Sequence, residues 1–482
     1  MVHFNHFNYC LLHSSGSFLV DSYYTTTTTT KHTNTMKNSI PSQNNSQRKE
    51  LVLIGGGHAH VYLLKELGTV KYQTLLQQHN IHVTLVSKDV HTPYSGMLPG
   101  YVAGHYSFAE MHIDLQQLCD ASHIPLIHGA CTAITTEKNQ RGGGTIEIEL
   151  DSSHKTTSIR YDAVSIDVGS APSVLDSNIL QHPHVIPVKP ISNFCRYWEQ
   201  LKRSVQDDTT QKERILCVVG GGAGGVELIL SLQYALQQQQ PQNNHNSTIH
   251  NMVLVTRGQT LLEGHNAGVQ RRMRRILQER NVQVHLNCTV TGVETLQNDD
   301  TGRSQLLIQQ DNDNNPPPVI WFDDCLWCTS AGAPSWLAEH TPFPTHEGFL
   351  HIDDTYQVHH HPGVFAAGDC CHNPVHPRPK AGVFAVRAGP PLLANVLTYL
   401  TSLDDSTSTV QLTPHIPQTT FLGILSTGDK YAVASKGNWL SLEGAWVWKW
   451  KDYLDRTWIQ EYQQVCCEGV TKEQQEEQEQ DQ

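Results

Sequence analysis

The feature that most constrains this chain is a three-part order that occurs twice. Leu51-Val52-Leu53-Ile54 is an unbroken apolar run of the kind found in buried parallel strands. Gly55-Gly56-Gly57 follows it, and His58 to Leu67 has the apolar spacing of a helix. His82-Val83-Thr84-Leu85-Val86 then completes a βαβ unit. The same order returns at Ile215-Leu216-Cys217-Val218-Val219, which leads into Gly220-Gly221-Gly222-Ala223-Gly224-Gly225. A helix predicted from Val226 to about Gln237 and the strand Met252-Val253-Leu254-Val255 come next. This is a repeat of architecture more than of residues, and it predicts two α/β units with parallel sheets.

In such a turn the first glycine permits the tight bend and the second lets backbone approach a pyrophosphate. The helix start then offers unpaired N–H groups to the negative charge. The candidate dinucleotide-binding residues are therefore Gly55 and Gly57, with His58 and Ala59 opening the helix, and in the second unit Gly220, Gly222 and Gly225. One glycine-rich turn is a weak signal, but two in matching strand-turn-helix settings are a strong one. Both depart from the ideal. His60 holds the third glycine position of the first turn, so that turn is expected to be slightly wider. Ser87 and Lys88 stand where the second strand normally ends in a ribose-binding acid. At the equivalent place in the second unit, Thr256-Arg257 offers a cation and no acid, which suits a 2′-phosphate; a solvated surface Arg is the plainer alternative.

At 482 residues the chain is long enough for two or three domains. Its 46 Asp and Glu against 33 Lys and Arg leave a formal charge of -13, a field that repels nucleic acid. No run of about 18 consecutive apolar residues is present, so no transmembrane segment is expected. Twelve scattered cysteines suit a reducing, intracellular compartment, cytoplasmic or organellar, mitochondrion and plastid both left open. Residues 1–49, rich in Ser, Thr, Asn and His, are expected to be a disordered extension, with a transit peptide as the alternative. The Glu/Gln-rich tail 466–482 is also expected to be disordered.

Far downstream, Gly363-Val364-Phe365-Ala366-Ala367-Gly368-Asp369 is an apolar strand ending in Gly-Asp. Two glycine turns followed by that strand resemble the pyridine nucleotide-disulfide oxidoreductase superfamily across residues 50 to 400. Asp167-Val168-Gly169-Ser170-Ala171-Pro172 and Cys328-Thr329-Ser330-Ala331-Gly332-Ala333-Pro334 look like the two crossings between its nested domains, which adds Gly169 to the candidates. Within the superfamily, Gly57-His58-Ala59-His60-Val61, Pro93 to Tyr101, Lys380 to Arg387, Ser426 to Ala432 and Glu443 to Asp452 resemble one particular flavoprotein family. It occurs alone or fused to selenide, water dikinase and is related to type II NADH dehydrogenases.

The resemblance implies an α/β fold of two nested Rossmann-like domains: an FAD-binding domain in two parts, 50–180 and 336–400, interrupted by an NAD(P)H-binding domain, 181–335. A small C-terminal domain, 401–465, follows. It implies FAD and NAD(P)H as cofactors, with Gly368 and Asp369 holding the flavin ribityl chain. The implied activity passes a hydride from NAD(P)H to FAD and electrons onward to a quinone or another small acceptor. The alternative is a flavin- and nucleotide-binding redox sensor with incidental turnover. A homodimer and peripheral membrane contact are left open.

Catalytic candidates are positioning groups. Glu227 stands where the superfamily often places an acid near the nicotinamide, although a Glu at a helix start also suits the helix dipole. Lys380, Ala381 and Gly382 open a helix, predicted from Lys380 to Leu397, that should aim N–H groups at the flavin pyrimidine edge. His91 to His105 contains no cysteine, so no redox-active disulfide is expected at the superfamily's usual place. Cys325-Leu326-Trp327-Cys328 reads as buried strand packing, Cys370-Cys371-His372 with His376 as part of the flavin loop, and His359-His360-His361 as a polar turn. No metal site is expected. Five tryptophans between Trp439 and Trp458, interspersed with Lys449, Lys451 and Arg456, suit either an interfacial membrane helix or a helix packed on the flavin domain.

Overall fold

The computed structural model describes residues 47–480 except 138–141, 173–176, 208–212, 239–249, 296–301, 311–315, 330 and 406–409, with side chains described as far as Val465. The expectation for the N-terminal extension therefore lies outside the described residues, apart from its last three positions.

The larger sheet has the strand order Val364–Ala366, Ala163–Ile166, Lys49–Ile54, Ile81–Ser87, Leu126–Thr136, Gly144–Leu150, Thr156–Tyr161. Its first five strands are parallel neighbours, and the last two continue as an antiparallel meander. The second sheet is fully parallel, in the order Val185–Pro187, Asp324–Trp327, Ile215–Val219, Asn251–Val255, Gln283–His285. In both sheets the strand that enters the glycine turn is central, covered on both faces, which is why it reads as a continuous apolar run rather than an alternating one. Leu51, Leu53, Leu216 and Val218 are fully buried.

The two crossings between the units pair with each other. Ala171–Pro172 and Ala331–Gly332 form a short antiparallel ribbon, with Ala331 opposite Pro172 and Gly332 opposite Ala171. Exit from and re-entry to the first unit therefore occur side by side, as a domain inserted into another requires.

The helix after the first turn, His58–Leu67, packs on the long helix Gly382–Ser402. A Cβ at Gly389 would lie 2.7 Å from the Cβ of Tyr62, so glycine there sets how closely the two axes approach. Gly382–Ser402 is long and apolar enough to cross a membrane by length and composition alone, and 61 % of its most apolar window is buried inside the fold. It begins two residues later than the predicted Lys380, with Ala381 as its N-cap.

The C-terminal part is a three-stranded antiparallel sheet, Leu422–Ser426, Ala432–Lys436 and Leu440–Gly444, followed by the helix Ala445–Gln480. The backbone from 466 onward is helical where an unstructured tail was expected. Glu, Gln and Lys are good helix formers and here extend a helix already anchored by packing. The tryptophans divide between the two readings offered for them. Trp448 is buried and Trp458 packs in edge contact with His58, whereas Trp439 and Trp446 are 84 % and 55 % exposed.

Candidate functional site

The first glycine turn opens onto a cleft of about 420 Å³, lined by Gly55, Gly57, His58, Ser87, Lys88, Gly169, Asp369 and Gly382 among others. Eight of the residues predicted from sequence thus meet around one cavity, although they come from positions more than three hundred residues apart. Ala59 lies just inside it, buried, with its N–H donating to Asp167 Oδ2 at 2.9 Å.

Asp167, at the end of strand Ala163–Ile166, organises the turn. The Gly57 N–H donates to its backbone carbonyl at 3.0 Å. A Cβ on Gly55 (φ +90°) would meet that carbonyl oxygen at 2.4 Å, one on Gly57 would lie 2.1 Å from the carboxyl carbon, and one on Gly368 (φ +71°) would lie 2.3 Å from Oδ1. Glycine at all three places is thus required by one residue, through its backbone at Gly55 and through its side chain at Gly57 and Gly368. Burial pushes the Asp167 carboxyl up to about 7 against the pull of the Ala59 N–H, and nearby Asp369 adds to the rise.

His60 replaces the third glycine without disrupting the turn. Its ring folds back, with Nδ1 2.7 Å from the Gly55 carbonyl and Nε2 2.8 Å from Ser165 Oγ. A carbonyl only accepts, so Nδ1 carries the proton and Nε2 accepts from the Ser165 hydroxyl. Burial holds the imidazole down at about 4, which keeps it neutral.

Asp369 accepts from Ser170 Oγ at 3.2 Å and from Lys189 Nζ at 3.1 Å. Lys380 does not line the cleft: its ammonium donates to the Cys371 carbonyl and stands 3.9 Å from the centre of the Phe349 ring. Ala381 caps the following helix in an extended conformation with no side-chain cap bond. The N–H groups of the first turn are therefore free of local side-chain competition. Gly382, at the mouth of that helix, faces His58 and Ser95.

In the second turn, a Cβ on Gly220 (φ +134°) would meet the Cys328 carbonyl at 2.0 Å, and one on Gly225 would meet the Gly220 carbonyl at 2.0 Å. These glycines serve the bend and the close helix-to-strand packing. A Cβ on Gly222 would meet nothing within 4 Å, so that position faces open space where a ligand's phosphates can approach. Thr256 is buried against Gly221, while Arg257 is exposed.

Glu227 is not a surface residue of its helix. Its Oε1 accepts from the Ser426 N–H at 2.7 Å, and burial pushes the carboxyl up to about 7, opposed by nearby Lys451. Lys451 donates to the Gly96 carbonyl at 2.5 Å and forms a buried ion pair with Asp455 on the same C-terminal helix. Burial also raises the Asp455 carboxyl. A cluster of protonatable groups thus joins the second glycine-turn helix, the Tyr94-Ser95-Gly96 segment and the C-terminal helix.

The thiols are packed. Cys325 is fully buried and directly opposite Cys217 on the neighbouring parallel strand. Cys370 and Cys371 donate to backbone carbonyls of Ala367 and Gly368, and His376 pairs with Asp354 at 2.7 Å. Among the described residues no group of three or more His, Cys, Asp or Glu is arranged to hold a metal ion.

Comparison with known proteins agrees with this geometry. The family described as pyridine nucleotide-disulphide oxidoreductase matches residues 49–389, from the first glycine-turn strand into the long helix after Gly-Asp. The chain belongs to this family. It is 25 % identical over 335 residues to Oxidoreductase ptaL of Pestalotiopsis fici, covering 67 % of this chain and 76 % of that one. Its fold is similar to that of the sulfide:quinone oxidoreductase of Aquifex aeolicus, at TM-score 0.63 and 14 % identity, covering 86 % of this chain and 92 % of the other. It is also similar to NDH2 from Plasmodium falciparum, solved with NADH, at TM-score 0.61 and 14 % identity, with coverage of 86 % and 97 %.

As a pyridine nucleotide-disulphide oxidoreductase the chain is an enzyme that uses FAD and a pyridine nucleotide. The residues present fit both groups. Gly55, Gly57 and the start of His58–Leu67 form a cradle that side chains would fill, Asp369 and the free end of Gly382–Ser402 border the same cleft, and Gly222 leaves the second turn open.

Sequence reasoning passed over Asp167, Lys189, Asp89 and Lys451 as site residues. Asp167 lay within a segment quoted for its crossing. Asp89, which lines the cleft, supplies an acid two residues beyond Ser87, where one seemed to be missing. Nothing in the local sequence places Lys189 or Lys451 at the site, because the groups they reach across the fold, Asp369 and the Gly96 carbonyl, lie 180 and 355 positions away.

Proposed function

We propose that this enzyme oxidises NAD(P)H and delivers two electrons, by way of FAD, to a small acceptor of the quinone class. The acceptor's protons pass through Glu227 and its neighbours. The balanced reaction is NAD(P)H plus a proton plus quinone giving NAD(P)⁺ plus quinol. When bound, FAD supplies the two-electron chemistry. The first turn and the start of Gly382–Ser402 would hold FAD and the Gly220 turn the pyridine nucleotide, and the chain's own part is to orient the two and to move protons.

The observation that carries this reading is the position of Glu227. A carboxyl held near neutrality by burial, bonded to Ser426 and beside the Lys451–Asp455 pair, can both give and take a proton at working pH. Reduction of a quinone to a quinol takes up two protons, which such a group can relay. The fold shared with a sulfide:quinone oxidoreductase supports the acceptor class.

The test is steady-state NAD(P)H oxidation by FAD-loaded protein with a panel of soluble quinones, ferricyanide, dioxygen and disulfides. Quinones should give the highest kcat/KM, and Glu227→Gln should slow quinone turnover more than ferricyanide turnover, since ferricyanide takes no protons. Flavin reduction by NAD(P)H without turnover on any acceptor would favour the redox-sensor alternative.

A further inference from the structure

We propose that FAD seats against Asp167 in its neutral, protonated form, so that FAD binding to protein with this carboxyl ionised draws one proton from solvent onto it. The proposal rests on the flavin diphosphate occupying the first glycine turn and adds a proton to that step.

The conflict is geometric. The start of His58–Leu67 is the anion-binding end of the helix, and one of its N–H groups, that of Ala59, is already donated to Asp167 Oδ2 at 2.9 Å. The diphosphate brings further negative charge to the same turn. The carboxyl cannot swing away: Asp167 is 2 % exposed and its carboxyl is enclosed by Gly57 and Gly368, each of which lacks the Cβ that would strike it.

The groups that face it offer no neutralising cation. Asp369 comes from the Gly-Asp loop, the Cys370 and Cys371 thiols follow it, and Ala59 and His60 contribute only backbone N–H groups. Lys189 is engaged with Asp369 and Ser170, and Lys380 with the Cys371 carbonyl. Two like charges in a buried site cannot both persist, and a proton is the cheapest remedy because solvent supplies it. Once neutral, the Asp167 carboxyl still accepts from the Ala59 N–H and no longer opposes a second negative charge.

Burial within the chain already raises the Asp167 carboxyl to about 7, and adjacent negative charge raises it further. The linkage sign follows. Below pH 7 the group is protonated in both states, and FAD affinity is independent of pH. Above it the free protein must first take up a proton, so Kd weakens by about tenfold per pH unit until the bound form itself ionises.

The experiment titrates FAD into flavin-free full-length protein between pH 6 and 9.5, following flavin fluorescence. Calorimetry in two buffers of different ionisation enthalpy counts protons at pH 8. Wild type should show the tenfold slope and an uptake approaching one proton per FAD. Asp167→Asn should bind within about threefold of the wild-type pH 6 affinity, with no slope. Asp167→Ala, which removes the carboxyl, should also be flat and serves if the Asn variant does not fold.

A flat wild-type profile with no proton uptake overturns the proposal while leaving the flavin seat intact, as does a variant that keeps the wild-type slope. Loss of FAD binding at pH 6 by a folded Asp167→Asn protein also overturns it, since the neutral amide keeps the shape of the protonated carboxyl. Absence of FAD binding by wild type at every pH would instead remove the flavin seat itself.

Discussion

The carboxylate of Asp369 stands 3.1 Å from the ammonium of Lys189, a contact between the loop that closes the flavin sheet and the segment that enters the inserted nucleotide domain. Ser170 bridges them, accepting from Lys189 at 2.6 Å and donating to Asp369 at 3.2 Å. Replacing the acid leaves a cation without its partner and removes the acceptor expected to hold the ribityl chain. Asp369→Ala is therefore predicted to weaken FAD binding by roughly 1–3 kcal/mol. Lys189→Met, which keeps the acid, should weaken it less. FAD content after purification and the Kd of reconstitution measure both, and unchanged values for Asp369→Ala would show that the Gly-Asp assignment is wrong.

Glu227 predicts a pH-dependent change in stability. Its carboxyl is raised from 4.5 to about 7 in the folded protein, so the folded state binds the proton more tightly than the unfolded chain. The stability this contributes is fully present below pH 4.5 and is lost as pH rises through 7. Glu227→Gln keeps the shape and removes the charge. It should raise the melting temperature at pH 8, by the equivalent of on the order of 1–3 kcal/mol, and leave it nearly unchanged at pH 4.5. Differential scanning calorimetry at the two pH values decides it; a loss of stability at pH 8 would mean that the ionised carboxylate is held by Lys451 as a net favourable pair.

The paired strands that carry Cys217 and Cys325 predict a purely structural role for the Cys325-Leu326-Trp327-Cys328 segment. Ser at positions 325 and 328 should leave the rate of flavin reduction by NAD(P)H intact. It should cost roughly 1–3 kcal/mol of stability, because a hydroxyl replaces a thiol in a dry core. Rapid-mixing absorbance and urea unfolding report the two quantities separately. Normal flavin reduction with a selective loss of acceptor turnover would point to a dithiol relay.

Coenzyme choice rests on Arg257, exposed beside buried Thr256 at the end of strand Asn251–Val255. Thr256-Arg257 holds no acid of its own to repel a 2′-phosphate, and an exposed guanidinium can reach one. NADPH is predicted to reduce the flavin at least as well as NADH, and Arg257→Ala to weaken NADPH alone by roughly ten- to a hundredfold. A strong NADH preference that survives the substitution would return Arg257 to the solvent.

Much of this protein is written locally. The two glycine turns, the strands that enter them and the Gly-Asp strand are legible because a buried parallel strand must be continuously apolar and a phosphate-binding turn must be free of side chains, and neither demand depends on distant residues. For the same reason eight sequence-predicted positions converge on one cleft. What the sequence left open is where long-range contacts set the chemistry. His60 fits the turn only because Ser165 is there to bond it, and Glu227 becomes a buried acid only because Ser426 and Lys451 are brought to it by the C-terminal strands and helix. Asp167 acquires its shifted protonation from a cage of glycines drawn from two ends of the flavin domain. Composition and spacing determine which backbone can approach a dinucleotide. Burial and charge pairing between residues hundreds of positions apart determine which side chains hold protons, and those exist only once the chain has folded.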